Sequence, residues 1–138
     1  MTPNQTAARR LDGRVAVVTG SSGGIGLAIA TEFAREGASV VVNSRDAERA
    51  EKAASTLAQE GLHVSGFAAD MRRPEEARAL AEAAVARHGR LDIWVNNAGI
   101  NVIKPALELE ADEWAAVIDT NLSACFYGSQ AAGRLMVP

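Results

Sequence analysis

The stretch Thr19-Gly20-Ser21-Ser22-Gly23-Gly24-Ile25-Gly26 lies between two segments of different periodicity. The apolar run Val15-Ala16-Val17-Val18 comes before it and predicts a buried strand. After it, Ile25, Ile29 and Phe33 recur at every fourth residue, which predicts a helix. A strand, a glycine turn and a helix N-terminus in this order form a phosphate-binding arrangement, because the backbone can approach a pyrophosphate and the helix dipole favours its charge.

A glycine-rich turn is also compatible with an ordinary strand-to-helix loop, but the flanking strand and helix favour a dinucleotide site. The first helix is expected to run from about Gly24 to Glu36 and to end at Gly37. The candidate cofactor contacts in this stretch are Gly20, Ser22, Gly23, Gly24, Ile25 and Gly26.

The second predicted strand contains Val40-Val41-Val42, a β-branched run typical of a strand that is buried on both faces. At its tip, an acidic side chain would accept a hydrogen bond from a ribose 2′-hydroxyl, whereas arginine would pair with a 2′-phosphate. This chain has Ser44-Arg45 there, followed by Asp46, which we expect to cap the next helix. NADP is therefore the predicted cofactor and NAD the alternative, in which Arg45 is only a solvated loop residue.

Two further strand ends carry polar residues. A weaker third strand, from His63 to Ala69, ends at Asp70-Met71, and Pro74 then opens a helix that extends to Gly89. A fourth strand, Leu91 to Val95, runs into Asn96-Asn97-Ala98-Gly99. Small residues let such a turn lie close to a cofactor, and paired Asn amides can tie neighbouring strand ends together.

These motifs together resemble the short-chain dehydrogenases/reductases. Thr-Gly-x-x-x-Gly-x-Gly matches the nucleotide-binding motif of that family with Gly20, Gly24 and Gly26. Gly20, Gly23 and Gly26 also fit the epimerase-like extended branch, but Asn-Asn-Ala-Gly is the signature of the main branch. The resemblance implies an α/β doubly wound parallel sheet (Rossmann fold) of strand order 3-2-1-4, with residues 11–138 forming its N-terminal part and ending before the fifth strand.

The resemblance also implies roles for single residues. Family members that prefer NAD carry Asp at position 44, whereas Ser44-Arg45 resembles NADP-preferring members, many of which add a second basic residue where this chain has Gly23. Asp70, with Met71 beside it, corresponds to the carboxylate that accepts from the adenine amine, although it is also compatible with a helix-capping acid ahead of Pro74. The turn Asn97-Ala98-Gly99 is a further cofactor contact.

Asn121 matches the asparagine that the family places in its catalytic tetrad, where a local helix kink helps to hold a water. The alternative is a buried Asn whose amide is satisfied by neighbouring backbone. Tyr127 has Ala131 four residues on and so is not part of a Tyr-x-x-x-Lys pair. Neither that pair nor the catalytic serine segment occurs in these 138 residues.

The implied activity is reversible hydride transfer between NADP(H) and a small alcohol or carbonyl substrate, with residues 1–138 inactive on their own. Three hypotheses remain open at this point. The chain is the recorded part of a full oxidoreductase, a non-catalytic nucleotide-binding module, or an inactive truncation product.

Composition excludes several other classes of protein. A length of 138 residues fits one domain, and a net charge of −3 with 4% aromatic residues argues against a nucleic-acid surface. The single cysteine, Cys125, excludes an internal disulfide and favours a reducing compartment such as the cytoplasm. No His/Cys spacing predicts a metal site, no apolar run predicts a membrane span, and polar residues 1–10 are expected to form a flexible leader.

The two last predictions concern surfaces. Ile93-Trp94-Val95 would lie at an open sheet edge, which favours pairing with another chain, so we expect self-association or a homo-oligomer. A long helix that begins at Asp112-Glu113-Trp114 is expected to be mostly buried along an apolar stripe that includes Val117, Leu122, Cys125 and Leu135.

Overall fold

The computed structural model describes residues 9–138, so the predicted leader lies almost entirely outside the described residues. Strands and helices alternate through the first two thirds of the chain, and helices follow. The elements are β1 (Val15–Val18), α1 (Gly24–Arg35), β2 (Ser39–Ser44), α2 (Ala47–Gln59), β3 (Val64–Ala68), α3 (Pro74–His88), β4 (Ile93–Val95), a 3₁₀ turn (Ala106–Glu108), α4 (Ala111–Ile118), a π-helical turn (Asp119–Ser123) and α5 (Ala124–Met136).

The four strands form one parallel sheet in the order β3-β2-β1-β4, which confirms the predicted fold class and strand order. In the register, Val17 of β1 lies beside Val41 of β2 and Trp94 of β4. Because all strands are parallel, their carboxyl ends meet at one edge of the sheet. That edge brings the residues after β1, β2, β3 and β4 together, where ligands bind in open α/β sheets.

Two apolar clusters cover the two faces of the sheet. On one face, Val15 and Val17 pack with α3 and α5 through residues such as Leu80 and Ala131. On the other face, Val18 and its neighbours pack with α1 and α2. The run Val40-Val41-Val42 is fully buried between the two layers, as its β-branched composition predicts.

Small residues, rather than the large apolar ones, form the buried stripe of α1. Gly26, Ala30 and Ala34 are the buried positions, whereas the side chain of Ile25 is 76% exposed. The spacing of Ile25, Ile29 and Phe33 therefore predicts the helix correctly, and Ile29 and Phe33 pack half-buried against the core, but Ile25 does not. Small residues at the fully buried positions let the helix lie close to the sheet.

The long C-terminal helix is interrupted, and the prediction that its apolar stripe is mostly buried was wrong. Leu122 is 64% exposed and Leu135 is 41% exposed. The buried positions of α5 are instead small ones: Ala124, Ala131 and Ala132 pack in the cluster that includes α3, and Gly128 lies against Trp94 and Asn96. The π-helical turn separates α4 from α5 and holds Asn121 in its middle, and such turns are frequent at functional sites.

β4 pairs with β1 alone, and Asp92 anchors its start. The Asp92 carboxylate accepts from the backbone N–H of Val15 at 2.9 Å and from Arg14 at 3.2 Å, and it also pairs with Arg90. Burial acts to raise the pKa of Asp92, but the hydrogen bonds from Arg90, Val15 and Arg14 outweigh it and hold this pKa below its usual value. The other side of β4 is an open sheet edge, as predicted.

The start of the described chain is tied to the end of α1. Arg10, at the end of the predicted leader, donates its backbone N–H to the Glu36 carboxylate at 2.9 Å and forms an ion pair with it. Among residues 9–138, no helix combines the length and apolar character that crossing a bilayer requires.

Candidate functional site

The carboxyl ends of β1 and β4 are joined by a small network around Thr19. Its hydroxyl oxygen accepts from the backbone N–H groups of Asn97 and Ala98, both at 3.0 Å. The side-chain amide of Asn97 donates back to the carbonyls of Thr19 at 2.9 Å and Gly20 at 3.0 Å. Of the paired Asn amides that were predicted to tie neighbouring strand ends, only Asn97 does so, whereas the Asn96 amide accepts from Trp94 and donates to Ser129. We call Thr19, Gly20, Gly26, Asn97 and Ala98 the cleft floor.

Two glycines of the floor have no room for a side chain. A Cβ on Gly26 would lie 2.4 Å from the Asn97 amide nitrogen and 2.7 Å from the Gly20 carbonyl oxygen. A Cβ on Gly20, whose φ is +59°, would lie 2.8 Å from the Cα of Ala98. These contacts explain the spacing of the glycine motif, because helix α1 and the turn after β4 both approach the turn after β1 closely.

A second network, which the sequence reasoning missed, holds the turn after β1 against β2. The Asn43 side-chain oxygen accepts from the Gly20 N–H at 3.0 Å, and its amide donates to the carbonyls of Phe67 and Ala69, both at 3.2 Å. Ser21 accepts from the Asn43 N–H through its hydroxyl at 2.9 Å. The signal for Asn43 was a polar residue directly after three buried valines, where a buried side chain needs partners.

Above the floor lies a cleft of about 360 Å³, and most of the predicted cofactor contacts line it. The predicted residues in its wall are Gly20, Ser22, Gly23, Gly24, Ser44, Arg45, Asp70, Met71, Asn97, Ala98 and Gly99. The rest of the wall consists of residues that were not predicted as cofactor contacts, namely Asn43, Arg49, Ala69, Arg72, Ile100 and Thr120. Ile25 and Gly26 are not in the wall: Gly26 is buried within the floor, and Ile25 projects outward from the first turn of α1.

One end of the cleft, and an adjoining space of about 640 Å³, are lined by three arginines: Arg45, Arg49 and Arg72. We call these three residues the arginine rim. Arg45 follows β2, Arg49 lies in the first turn of α2, and Arg72 lies between β3 and α3. Asp46 is also at this end, but its carboxylate accepts from the Arg49 backbone N–H at 3.1 Å, which confirms it as the cap of α2. Ser44, at the tip of β2, is 9% exposed and carries no charge.

Asp70 is bound by Arg72 through several hydrogen bonds. The Arg72 Nε donates to both carboxylate oxygens, at 3.0 and 3.1 Å, and Nη2 donates to one of them at 2.6 Å. This pair holds the pKa of Asp70 below its usual value and raises the pKa of Arg72. Asp70 does not cap α3, because the N-cap position is Arg73, so the helix-capping alternative is wrong.

Asn121 lies beside the cleft but not in its wall. Its side-chain oxygen accepts from the Ile100 N–H at 2.8 Å, and its amide donates to the Ile100 carbonyl at 2.8 Å. The amide is therefore satisfied by backbone, although the residue is exposed rather than buried. Its own carbonyl accepts from the Cys125 thiol at 3.3 Å. Asn121 thus fixes the loop that follows Gly99 to the π-helical turn.

The groups that surround this cleft favour an anion. Backbone N–H groups at the start of α1, the rim guanidiniums and one engaged carboxylate surround it. Within the part of the chain that the structure describes, no group of three His, Cys, Asp or Glu residues is arranged to hold a metal ion.

Comparison with protein families agrees with this geometry. The family model described as short chain dehydrogenase matches residues 14–138. The chain belongs to this family. This match confirms the resemblance to the short-chain dehydrogenases/reductases that the glycine motif and Asn-Asn-Ala-Gly indicate.

Curated relatives are similar along nearly the whole chain. D-threitol dehydrogenase of Mycolicibacterium smegmatis is 43% identical over 93% of this chain and 49% of its own length. Gluconate 5-dehydrogenase of Gluconobacter oxydans is 41% identical over 93% of this chain and 50% of its own length. The chain therefore spans about half the length of these curated relatives.

The solved structures agree with the observed fold. A double mutant of the Serratia marcescens short-chain dehydrogenase/reductase superposes with a TM-score of 0.85 at 38% identity. That match covers 91% of this chain and 52% of the other. The order β3-β2-β1-β4 is thus shared with family members of known structure.

Proposed function

We propose that this chain carries the cofactor-binding part of an oxidoreductase that transfers a hydride between NADP(H) and an alcohol or carbonyl compound. The observation that supports this most is the convergence, in one cleft, of Ser22, Ser44-Arg45, Asp70-Met71 and Asn97-Ala98-Gly99. Four separate strand ends supply these residues, and an ordinary loop needs no such assembly.

The cleft fits the parts of the cofactor. The glycine turn and the start of α1 present backbone N–H groups where a pyrophosphate would lie. Gly20 has no side chain and Ala98 only a methyl group, so the floor carries little side-chain bulk where the cofactor would approach. When bound, the nicotinamide would supply or accept the hydride, while this chain would hold the adenosine and pyrophosphate and bring Asn121 beside the reaction site.

NADP(H) rather than NAD(H) is proposed because of charge at the tip of β2. Ser44 places no carboxylate there that would repel a 2′-phosphate, and Asp46 is engaged at the cap of α2. Arg45 lines the cleft and has no ion pair among residues 9–138. A guanidinium that is not already paired is available to a phosphate.

Titration of NADPH and NADH against the chain and two variants tests this assignment. Arg45→Ala, and to a greater degree Ser44→Asp, should weaken NADPH by roughly one to two decades relative to NADH, since a charge-assisted hydrogen bond contributes about 1.5–3 kcal/mol. Arg134→Ala removes an equal charge from exposed α5 and should change neither affinity. Equal weakening of both cofactors by Arg45→Ala would contradict the assignment.

The second candidate is a nucleotide-binding module that has no catalytic activity, and the hydrogen bonds of Asn121 support it. Both ends of the Asn121 amide are engaged by Ile100, and the only tyrosine, Tyr127, has no lysine four residues on. A positioned acid contributes about 10²–10⁴-fold to such reactions. We therefore propose that residues 1–138 alone bind the cofactor weakly and do not turn over.

Oxidation of NADPH across a panel of ketones and aldehydes separates the two candidates. The 138-residue chain should show no turnover. The same chain supplied with the C-terminal half of a family relative should gain activity if it is part of an oxidoreductase. Turnover by residues 1–138 that is abolished by Asn121→Ala would mean that they contain an acid outside the family pattern.

We also propose that the open edge of β4 pairs with a second strand, which makes self-association the expected behaviour of the chain. β4 is short and half-buried, and its outer backbone groups lack a neighbouring strand. Light scattering at high micromolar concentration should show dimers or larger species. A lysine in place of Ile93 or Val95 should reduce them, and a monodisperse monomer of the unmodified chain would contradict the proposal. We further propose a cytoplasmic location, for which the single free cysteine, Cys125, is the support, because it fits a reducing compartment.

A further inference from the structure

Arg72 is held more rigidly than the other two arginines of the rim. Its guanidinium forms a two-pronged pair with Asp70, and its backbone N–H donates to the same carboxylate at 3.0 Å. The side chains of Arg72 and Asp70 are 37% and 19% exposed, so the pair is partly shielded from water. A side chain that is already fixed has little rotamer freedom left to lose when a ligand binds.

The pair leaves part of the guanidinium available. A guanidinium has five N–H donors, and the bonds to Asp70 come from Nε and Nη2. The Nη1 group makes no hydrogen bond within residues 9–138, whereas a phosphate offers several acceptor oxygens. Arg72 can therefore keep its bond to Asp70 and still donate to an anion in the cleft.

Arg45 lines the same space as Arg72. Arg45 follows β2 and Arg72 follows β3, so the two guanidiniums come from neighbouring strand ends, and Ser44 between them is small. Asp70 lies close enough to both that each acts on its charge. One carboxylate beside two guanidiniums offsets their mutual repulsion before any ligand arrives, so the site is formed in advance.

We propose that Arg72, positioned by Asp70, is a second cationic ligand of a ribose 2′-phosphate at this cleft and helps to determine cofactor specificity. This inference rests on the proposed function. The 2′-phosphate would then contact Arg72 in the loop after β3 as well as Arg45 at the tip of β2.

Arg49 is the competing candidate within the rim. It lines the same space from the first turn of α2, but its residue is exposed and no carboxylate pairs with its guanidinium in the described chain. An unanchored arginine loses rotamer entropy when it binds and should contribute less. Arg49→Ala should therefore have a smaller effect on 2′-phosphate binding than Arg72→Ala.

The experiment compares two nucleotides that differ only in the phosphate at issue, adenosine 2′,5′-bisphosphate and adenosine 5′-monophosphate. Each is titrated against the 138-residue chain, Arg72→Ala, Arg49→Ala and Arg73→Ala. Arg73 is the matched control, because it is the next residue, pairs with Glu75 and does not line the cleft. Circular dichroism of each variant confirms that it folds, and Arg72→Lys, which keeps the charge, provides a milder second variant.

Arg72→Ala should weaken the bisphosphate by about tenfold or more and the monophosphate by less than about twofold, in line with the loss of one charge-assisted hydrogen bond. Arg72→Lys should lie between, and Arg73→Ala should match the unmodified chain. Equal weakening of both nucleotides, no change, or a larger effect of Arg49→Ala would overturn the role given to Arg72 while leaving the proposed function intact. Failure of the unmodified chain to bind either nucleotide would instead contradict the proposed function.

Discussion

The cleft floor and the arginine rim belong to the same site, but they are held in place by different kinds of contact. At the floor, Thr19 and Asn97 join two strand ends through backbone groups, and Gly26 packs with no space for a methyl group. At the rim, long side chains converge from two loops and the first turn of α2, and only the pair of Asp70 and Arg72 fixes one of them. Geometry at the floor is therefore set by the backbone, whereas geometry at the rim depends on charge.

This difference predicts that changes at the floor act on folding and changes at the rim act on ligand choice. A backbone-determined region tolerates few residue types, because each position has a steric or hydrogen-bonding requirement. A charge-determined region tolerates substitution at a smaller cost in stability, because its side chains remain partly solvated. Three measurements, ordered from the largest expected effect to the smallest, test this comparison.

The largest effect is expected for Gly26→Ala. The added methyl group would lie 2.4 Å from the Asn97 amide nitrogen and 2.7 Å from the Gly20 carbonyl oxygen, so the floor must open. We expect the free energy of unfolding to fall by about 3 kcal/mol or more, measured by urea denaturation. Gly133→Ala is the control: a Cβ there meets no atom within 4 Å, and alanine in a helix should stabilise by up to about 1 kcal/mol. Equal effects of the two substitutions would remove the steric argument.

Thr19→Val should have the next largest effect. Valine has nearly the same shape, but it removes the acceptor for the N–H groups of Asn97 and Ala98, and Thr19 is 2% exposed. Unsatisfied buried donors cost about 1–3 kcal/mol each, so we expect a loss of about 2 kcal/mol or more in unfolding free energy. Thr56→Val, which removes only a hydroxyl bonded to the Lys52 carbonyl on an exposed helix face, should change it by less than about 0.5 kcal/mol. A Thr19→Val protein as stable as the unmodified chain would show that the floor does not depend on this network.

The smallest effect is expected at the rim, from the acid titration of Asp70. Its pKa is lowered in the folded chain by Arg72, so its contribution to stability is present above the ordinary value of 3.8 and is lost as the pH falls through the lowered pKa. Asp70→Asn should reduce the unfolding free energy at neutral pH by less than about 1 kcal/mol and flatten the acid limb below pH 3.8. In an Arg72→Ala background the same substitution should have a much smaller effect. An equal effect in both backgrounds would mean that the pair does not couple.

The sequence predicts the floor well because its requirements are encoded residue by residue. Gly20 and Gly26 match a motif whose spacing follows from close backbone approach, and Asn97 matches the second motif that meets it. Thr19 and Asn43 were missed as side-chain contributors because their partners lie on other strands, far away in the sequence. Such partners are known only once the strand order and register are known.

The rim could not be predicted to the same extent. Arg45 was found from its place at the end of β2, but Arg49 and Arg72 converge only because the start of α2 and the loop after β3 lie at the same place. The burial of the helices was also mispredicted where Leu122 and Leu135 were expected inside. The fully buried positions of α5 are small residues, so the large apolar side chains do not mark the buried face of that helix.

The central claim is that the cleft at the carboxyl ends of the strands binds NADP(H), and amide NMR spectra recorded during an NADPH titration test it most directly. Shifts are expected at residues 20–26, at Ser44-Arg45, at Asp70-Met71 and at residues 97–99. Residues outside the cleft, such as the exposed His63 and the half-buried Gly133, should not respond, and NADH at equal concentration should give smaller shifts around Arg45. Shifts confined to the groove between α1 and α2 near Leu27 and Lys52, or no shifts at saturating NADPH, would contradict the account.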